Sequence, residues 1–228
     1  MKPTYGFFSF TEVTDPSAHH AYNEWHQLDH LPEQYPLPGI VHGQRWVSTP
    51  ACRAARAVSG PALDPIHYVT CYLMADPIRA TLDDFFELGA ELHRLDRFFR
   101  ARRAHLSGPF RVEKTDAAPH VPISAAAVPF RPCCGVYVVV EEPANDGIAD
   151  AMLTFPGVAG VWTFATDGAL SSPRWTEGER RITVAWLDDD PLTVAAAVTP
   201  LTATGAGVAF AGPFESITPW HWDWFDRS

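Results

Sequence analysis

Aromatic and β-branched residues crowd residues 5–13, where Tyr5, Phe7 and Ser9 alternate with Gly6, Phe8 and Phe10. That period of two predicts a strand, because successive side chains of extended backbone point to opposite faces. The strand ends at Asp15-Pro16, a helix start with proline in first position, and a helical pattern then runs to about residue 34, stopped by Pro36 and Pro38. Strands follow at about 40–48 and 66–74, then a long helix from 77 to about 105 and a closing strand at 110–114. After a stretch of scattered prolines and alanines the order repeats. Strands fall near 135–141, 158–165, 182–187 and 208–214, with helices near 146–154 and 191–202, and a hairpin-like connection ends at Gly178.

Three landmarks recur in the same order. Leu37-Pro38-Gly39-Ile40 followed by Arg45-Trp46 is answered by Phe155-Pro156-Gly157-Val158 and Val161-Trp162, 118 residues later at the glycine. Asp76-Pro77 is answered by Asp190-Pro191 at 114, and Gly108-Pro109-Phe110 by Gly212-Pro213-Phe214 at 104. Ordered matches with shrinking offsets describe a duplicated unit whose second copy has lost residues from loops and helices.

Each copy reads strand, helix, strand, strand, helix, strand, the ferredoxin-like βαββαβ arrangement of an antiparallel sheet with both helices on one face. The other sheet face must also be covered, and a second copy does so by symmetry. The expected fold class is therefore α+β: two tandem ferredoxin-like units packed as an intrachain, pseudo-dimeric α/β barrel. The expected division is 1–115 for the first unit, 116–132 for a linker, 133–218 for a degenerate second unit and 219–228 for an aromatic C-terminal tail.

Composition narrows the partners. With 228 residues, 46% of them hydrophobic, the chain can bury a sizeable core. No run approaches a membrane span and the start lacks a signal-peptide apolar region, so a cytoplasmic protein is expected. A formal net charge of −10 argues against nucleic acid, which needs a basic footprint. The basic run Arg97 to Arg103 reads as a solvated helix face. Cys52, Cys71, Cys133 and Cys134 lack zinc or disulfide spacing and read as reduced, mostly buried thiols. No glycine-rich nucleotide motif is present. Trp220 to Phe225 reads as a tail stapled over an apolar groove, and His93 and His105 are assigned no role.

The first helix carries the unusual residues. At about 100° per residue from Trp25, Ala18, Ala21, Tyr22 and Leu28 lie within about 60°, so the buried stripe is expected to centre on Trp25. Asp29 falls inside it at about 40°, while His26, His19 and His30 stack along one flank at about 100°, 120° and 140°. A carboxylate facing a core needs a partner or a solvated cavity, and titratable groups bordering a buried face make an active-site wall. The alternative is structural, with Asp29 accepting hydrogen bonds and His26 a satisfied imidazole.

The run Tyr22-Asn23-Glu24-Trp25-His26-x-x-Asp29-His30-Leu31-Pro32-Glu33, followed by Leu37-Pro38-Gly39-Ile40, resembles the signature of the EthD-like branch of the dimeric α/β-barrel superfamily. The resemblance covers most of 1–115 in layout, and 133–214 only in strand order and turn landmarks. The second copy has no counterpart of Trp25-His26 or Asp29-His30, so at most one full site is expected, with that copy as structural partner or lid. The resemblance implies a pocket between the sheet and the helices. It also implies a range of reactions: cofactor-free monooxygenation, polyketide cyclisation, lactone isomerisation, dehydration and decarboxylation.

The leading expectation is a cofactor-independent enzyme of cyclase, isomerase, lyase or monooxygenase type acting on a small aromatic or polyketide-like molecule. His26 or His30 moves a proton, since imidazole titrates near neutral pH, and Asp29 orients an imidazole. Tyr22, His42, Tyr68 or Tyr72 hydrogen-bonds a carbonyl or phenolate oxygen, and Phe7, Trp25 and Trp46 supply apolar walls. Two alternatives stand beside it: a non-catalytic binding protein for a hydrophobic metabolite, and a metal enzyme using His26 and His30 with a third ligand from Asp29 or His42. Homodimer formation is compatible with each.

Overall fold

In β1 (Tyr5–Val13) the alternation separates two environments: Phe8 and Phe10 enter one hydrophobic core, Tyr5 and Phe7 another. The computed structural model describes residues 1–142, 148–170, 172–173, 175–176, 178–203 and 207–226. After β1 come α1 (His19–Trp25), a π turn (His26–His30), α2 (Leu31–Gln34), β2 (Ile40–Val47), α3 (Pro50–Ala54), the short β3 (Val58–Ser59), β4 (Tyr68–Met74), α4 (Ile78–Arg94) and β5 (Arg102–Ala117). The second half contributes β6 (Gly135–Glu141), α5 (Ile148–Met152), β7 (Val158–Thr166), β8 (Arg181–Leu187), α6 (Pro191–Thr202) and β9 (Val208–Ser216).

These strands form a mixed α+β fold around one antiparallel sheet, ordered β2-β4-β1-β5-β7-β8-β6-β9-β3. An additional pairing of β2 with β9, Trp46 opposite Ser216 and Val47 opposite Glu215, brings the sheet round on itself. Setting aside the two-residue β3, the run β2-β4-β1-β5 and the run β7-β8-β6-β9 follow the same order of second, third, first and fourth strand in each half. The inner face is filled by side chains of both halves, including Phe8, Phe10, Trp46, Phe110, Trp162, Phe164, Trp186, Phe210 and Phe214. On the outer face, Leu31, Ile78 and Leu82 pack over Tyr5, Phe7, Tyr72 and Met74. Ile148, Met152, Val194 and Val198 cover the corresponding face of the second half.

The sequence landmarks occupy matching positions. Gly39 and Gly157 each precede a strand with positive φ, 87° and 82°, and their carbonyls accept from the amides of Ala75 and Asp188 at 2.9 and 2.8 Å. Gly108-Pro109-Phe110 lies on β5 against β1, with Phe110 opposite Gly6, and Gly212-Pro213-Phe214 on β9 against β6, with Phe214 opposite Val136.

Several expectations are corrected. The second helix ends at Arg94, not near 105: Asp96 turns the chain at φ 55°, and β5 starts at Arg102, opposite Val13. Arg102 and Arg103 are thus strand residues, because pairing with β1 overrides a locally helical composition. At its other end β5 runs into the expected linker, pairing Ala117 with Gly160. The short α3 and β3 were not foreseen. Residues 146–147 of the helix expected near 146–154 lie outside the described residues. Only Cys52 and Cys71 of the free thiols are buried; Cys133 is half-buried and Cys134 exposed. In the tail, Trp222 is buried and the Phe225 ring stacks on His19 at 3.9 Å, whereas Trp220 is exposed. Among the described residues no helix is long and apolar enough to cross a membrane.

A Cβ at Gly39 would meet Thr81 Oγ1 at 2.1 Å and one at Gly157 would meet Asp189 Cβ at 2.7 Å, both on left-handed backbone. Gly39→Ala and Gly157→Ala should each destabilise by more than about 1 kcal/mol, and, being remote, should add to within about 0.5 kcal/mol in the double variant. Urea denaturation checks this; a neutral Gly39→Ala would show that the turn does not need its conformation.

Candidate functional site

Outside the barrel, between the outer face of β1, β4 and β5 and the helices of the first half, lies a cavity of about 260 Å³. Its floor is the strand residues Phe7, Ser9, Thr70 and Tyr72. Tyr22, Trp25, His26 and His30 wall it from the first helix, and Phe85, Phe86, Gly89 and His93 from α4. Phe98, on the connection between α4 and β5, completes the enclosure.

The first helix presents a different face from the one its apolar residues suggested. Its buried positions are His19, Tyr22, Asn23, His26, His30, Leu31 and Gln34, while Leu28 is 43% exposed. The buried stripe therefore centres on the side of the histidines, about 140° from Trp25 on an ideal wheel. Two causes are visible. The π turn at His26–His30 takes extra residues per turn and breaks the helical phase. The helix also docks through polar groups: the Tyr68 hydroxyl meets His19 Nδ1 at 3.0 Å and accepts from Asn23 Nδ2 at 2.8 Å, and Arg45 Nη2 donates to Asn23 Oδ1 at 3.0 Å.

Asp29, expected to face the cavity, does not. It accepts from Arg97 Nη2 at 2.8 Å, and the same nitrogen reaches Glu33 at 2.6 Å, in a surface groove formed with Leu28 and Pro32. The two carboxylates hold the Arg97 guanidinium above its ordinary value. The Arg97 carbonyl in turn accepts from Trp25 Nε1 at 2.7 Å. Asp29 thus ties the segment bearing Phe98 to the helix and leaves both imidazoles without a carboxylate.

The imidazoles are neutral. Burial pushes His26 well below its usual value, with Arg45, His30 and Arg102 adding to the effect, and pushes His30 down to about 3 with help from Arg102 and Arg45. Their ring centroids are 5.1 Å apart, and His30 stacks on Trp25 at 4.6 Å. Nδ1 of each ring and the Tyr72 hydroxyl have no hydrogen-bond partner among the described residues. His26, His30 and Tyr72 thus line the cavity while carrying buried polar atoms that lack a protein partner among the described residues.

Of the other expected binding residues, Tyr22, Trp25, Tyr72 and Phe7 line the cavity and His42, Trp46 and Tyr68 do not. His42 packs on Phe130 at 5.1 Å. Trp46 faces the barrel interior, edge-on to Trp186, because residue parity along β2 sends it inward. Tyr68 is consumed by the polar network. His93, Phe98 and Arg102 were missed. The repeat offset of 104 that matches Gly212 to Gly108 also matches Val208, where β9 begins, to Ala104; extending the repeat would have placed a strand there.

Among the described residues no group of three or more His, Cys, Asp or Glu comes together as a metal site. The third ligands considered for His26 and His30 are turned elsewhere, Asp29 to Arg97 and His42 to Phe130.

Burial also lowers His19 to about 4 and His67 to about 3. All four folded values lie below the unfolded value near 6.5, so below about pH 6.5 the unfolded chain binds protons the folded chain refuses, and stability falls with pH. Each histidine contributes a slope of up to about 1.4 kcal/mol per pH unit until its folded value is reached. Urea midpoints should fall steeply from about pH 6 to 4.5, and more shallowly in His67→Gln; a flat profile there would contradict buried neutral imidazoles.

No family model matches the chain, and no curated protein matches it in sequence. Solved structures do. A monooxygenase candidate from Fusobacterium nucleatum subsp. nucleatum aligns over 96% of this chain and 94% of its own, with a TM-score of 0.54 and 8% identity. A chlorite dismutase candidate aligns over 98% of both chains, with a TM-score of 0.55 and 9% identity. At such identities the likeness is one of fold: a mixed α+β chain built on one large antiparallel sheet.

Proposed function

We propose that the chain is a cofactor-independent enzyme that moves a proton on a small aromatic or polyketide-like molecule bound in the cavity of its first half. In this reading its architecture is two ferredoxin-like units in tandem, akin to the EthD-like branch, with the second unit serving as structural partner. The observation that carries the proposal is the pair His26 and His30, buried, neutral and with unpartnered Nδ1 atoms, on the wall of an aromatic-lined cavity. A neutral imidazole is the form that accepts a proton. Removal of a proton from a carbon next to a carbonyl leaves an enolate, toward which the Tyr72 hydroxyl is available as donor. Cyclisation, isomerisation, elimination and cofactor-free oxidation share this first step. Fold relatives named for small-molecule reactions are in keeping with the reading. Asp29 acts here only by positioning the Phe98 segment.

Deuterium exchange tests the shared step without knowledge of the final product. The protein should accelerate exchange at the α-carbon of aryl methyl ketones in D₂O, followed by NMR. His26→Ala and His30→Ala should lower that acceleration, at least one of them by about a hundredfold, with the fold retained by circular dichroism. Gly89 faces the cavity, and a Cβ there meets nothing within 4 Å. Gly89→Leu should fill the space and remove the activity while raising helix propensity. Exchange unaffected by either histidine substitution would end the acid–base reading; ligand retention without exchange would favour a carrier.

A further inference from the structure

We propose that the molecule bound in this cavity is an anion: a small aromatic compound whose negatively charged oxygen, a carboxylate or a phenolate, is held by Arg102. The inference rests on the cavity being the ligand site, as argued above, and adds the ligand's charge class.

The first support is the inventory of the lining. Arg102 faces the cavity together with His26, His30 and His93, and no Asp or Glu among the described residues lines it. Neighbouring arginines all have carboxylates: Arg94 has Glu91, Arg97 has Asp29 and Glu33, Arg100 has Asp96. Among the described residues Arg102 has no ion pair, and its Nε has no hydrogen-bond partner. Its guanidinium lies over the Phe98 ring at 4.3 Å and near Trp25 at 5.7 Å. Aromatic faces hold a guanidinium flat while leaving its N–H edge for an acceptor, which suits the forked recognition of an oxyanion.

The second support is Arg45, 5% exposed, which stands behind the cavity wall over Tyr22 at 5.2 Å and Tyr68 at 5.3 Å. It too has no carboxylate partner among the described residues; its hydrogen bond goes to the amide oxygen of Asn23, and Nε and Nη1 have none. A buried and a half-buried cation without counter-charge are unfavourable in a low-dielectric surrounding unless an anion joins them. That both act on His26 and His30 in a chain of net charge −10 makes the cavity an exception to the molecule's overall field.

The third support is backbone geometry. The register of β1 against β5 shifts between Phe10 and Thr11: Leu106 opposes Phe10, Ala104 opposes Thr11, and His105 is the extra residue. Without this bulge, the alternation that faces Ser107 to the cavity would present His105 and Arg103 there. With it, Ala104 and Arg102 face the cavity, and His105 and Arg103 meet Glu12 instead. A bulge re-aims side chains, and this one exchanges an arginine that has a carboxylate for one that has none. The apolar Phe7, Phe85 and Phe86 provide the bed for the rest of an aromatic ligand.

The test is calorimetric titration with 2-naphthoate and its neutral isostere 2-naphthamide, and with 4-nitrophenolate and 4-nitroanisole to separate carboxylate from phenolate. At least one anion should bind about tenfold more tightly than its neutral counterpart. Arg102→Met should abolish that preference while changing affinity for the neutral ligand by less than about threefold, and Arg102→Lys should retain part of it. If Arg102→Met does not fold, NMR titration of the wild-type imidazoles replaces it: the anion, not the neutral ligand, should raise their titration midpoints. Equal binding of anion and neutral analogue, a preference that survives Arg102→Met, midpoints unmoved by the anion, or no binding of any probe would overturn the proposal. Failure of the acid–base reading is seen separately, as exchange unaffected by His26→Ala and His30→Ala.

Discussion

Parity along the strands is the constraint on which this molecule depends. A strand residue has two sides to choose from, and where the sheet curls round on itself one of them becomes a dry interior packed with Phe8, Phe10, Trp46, Trp162, Trp186 and Phe214. The imidazoles, Tyr72 and Arg102 of the first half then occupy the other side, beneath the helices. This one rule puts Trp46 in the core, Tyr72 in the cavity and, through a single bulge, Arg102 in place of Arg103.

The outer side of the first half is where burial and charge oppose each other. Desolvation is the leading cause of the lowered values of His26, His30 and Arg102, and the cations reinforce it at the imidazoles. Each group is thus held toward its uncharged form by its surroundings. An imidazole so strongly depressed is a poor base in the resting protein. An anionic ligand or a developing oxyanion would change this by favouring the imidazolium, coupling proton transfer to occupation of the cavity. The electrostatics of the base and the charge of the ligand are therefore one question.

The element order was legible because it rests on local signals: the alternation at 5–13, the proline stops after 34, and the paired landmarks at Gly39 and Gly157. Helix ends were less legible. Nothing near Arg94 in the sequence announces a stop, and the residues after it become a strand only because β1 offers its edge. The cavity histidines stood out by residue type, yet the helical wheel misplaced Asp29. Apolar residues were given the buried face, whereas Asn23, His19 and Arg45 hold the helix through hydrogen bonds, and the π turn broke the phase. Arg102 was hidden by the helix assignment and by a bulge that depends on pairing across distant segments.

The two halves resolve the same strand order differently, and the difference explains why the cavity opens in one of them. On the second half, Ile148 and Met152 of the short α5, and Val194, Ala195 and Val198 of α6, pack against Val139, Val161, Ala185 and Leu187. Apolar side chains close most of that interface by packing, with one buried hydrogen bond between Tyr137 Oη and Thr202 Oγ1 at 3.0 Å. On the first half the longer helical segment brings imidazoles, an amide and tyrosines against the sheet. Such groups require directed partners and cannot simply collapse onto one another. Tyr68, Asn23 and Arg45 satisfy part of that requirement near the start of the helix. Farther along, at His26, His30 and Tyr72, polar atoms lack protein partners among the described residues and the packing opens into the cavity. The same substitution of polar for apolar contacts that weakens the interface as a core leaves the space that the proposed ligand would occupy.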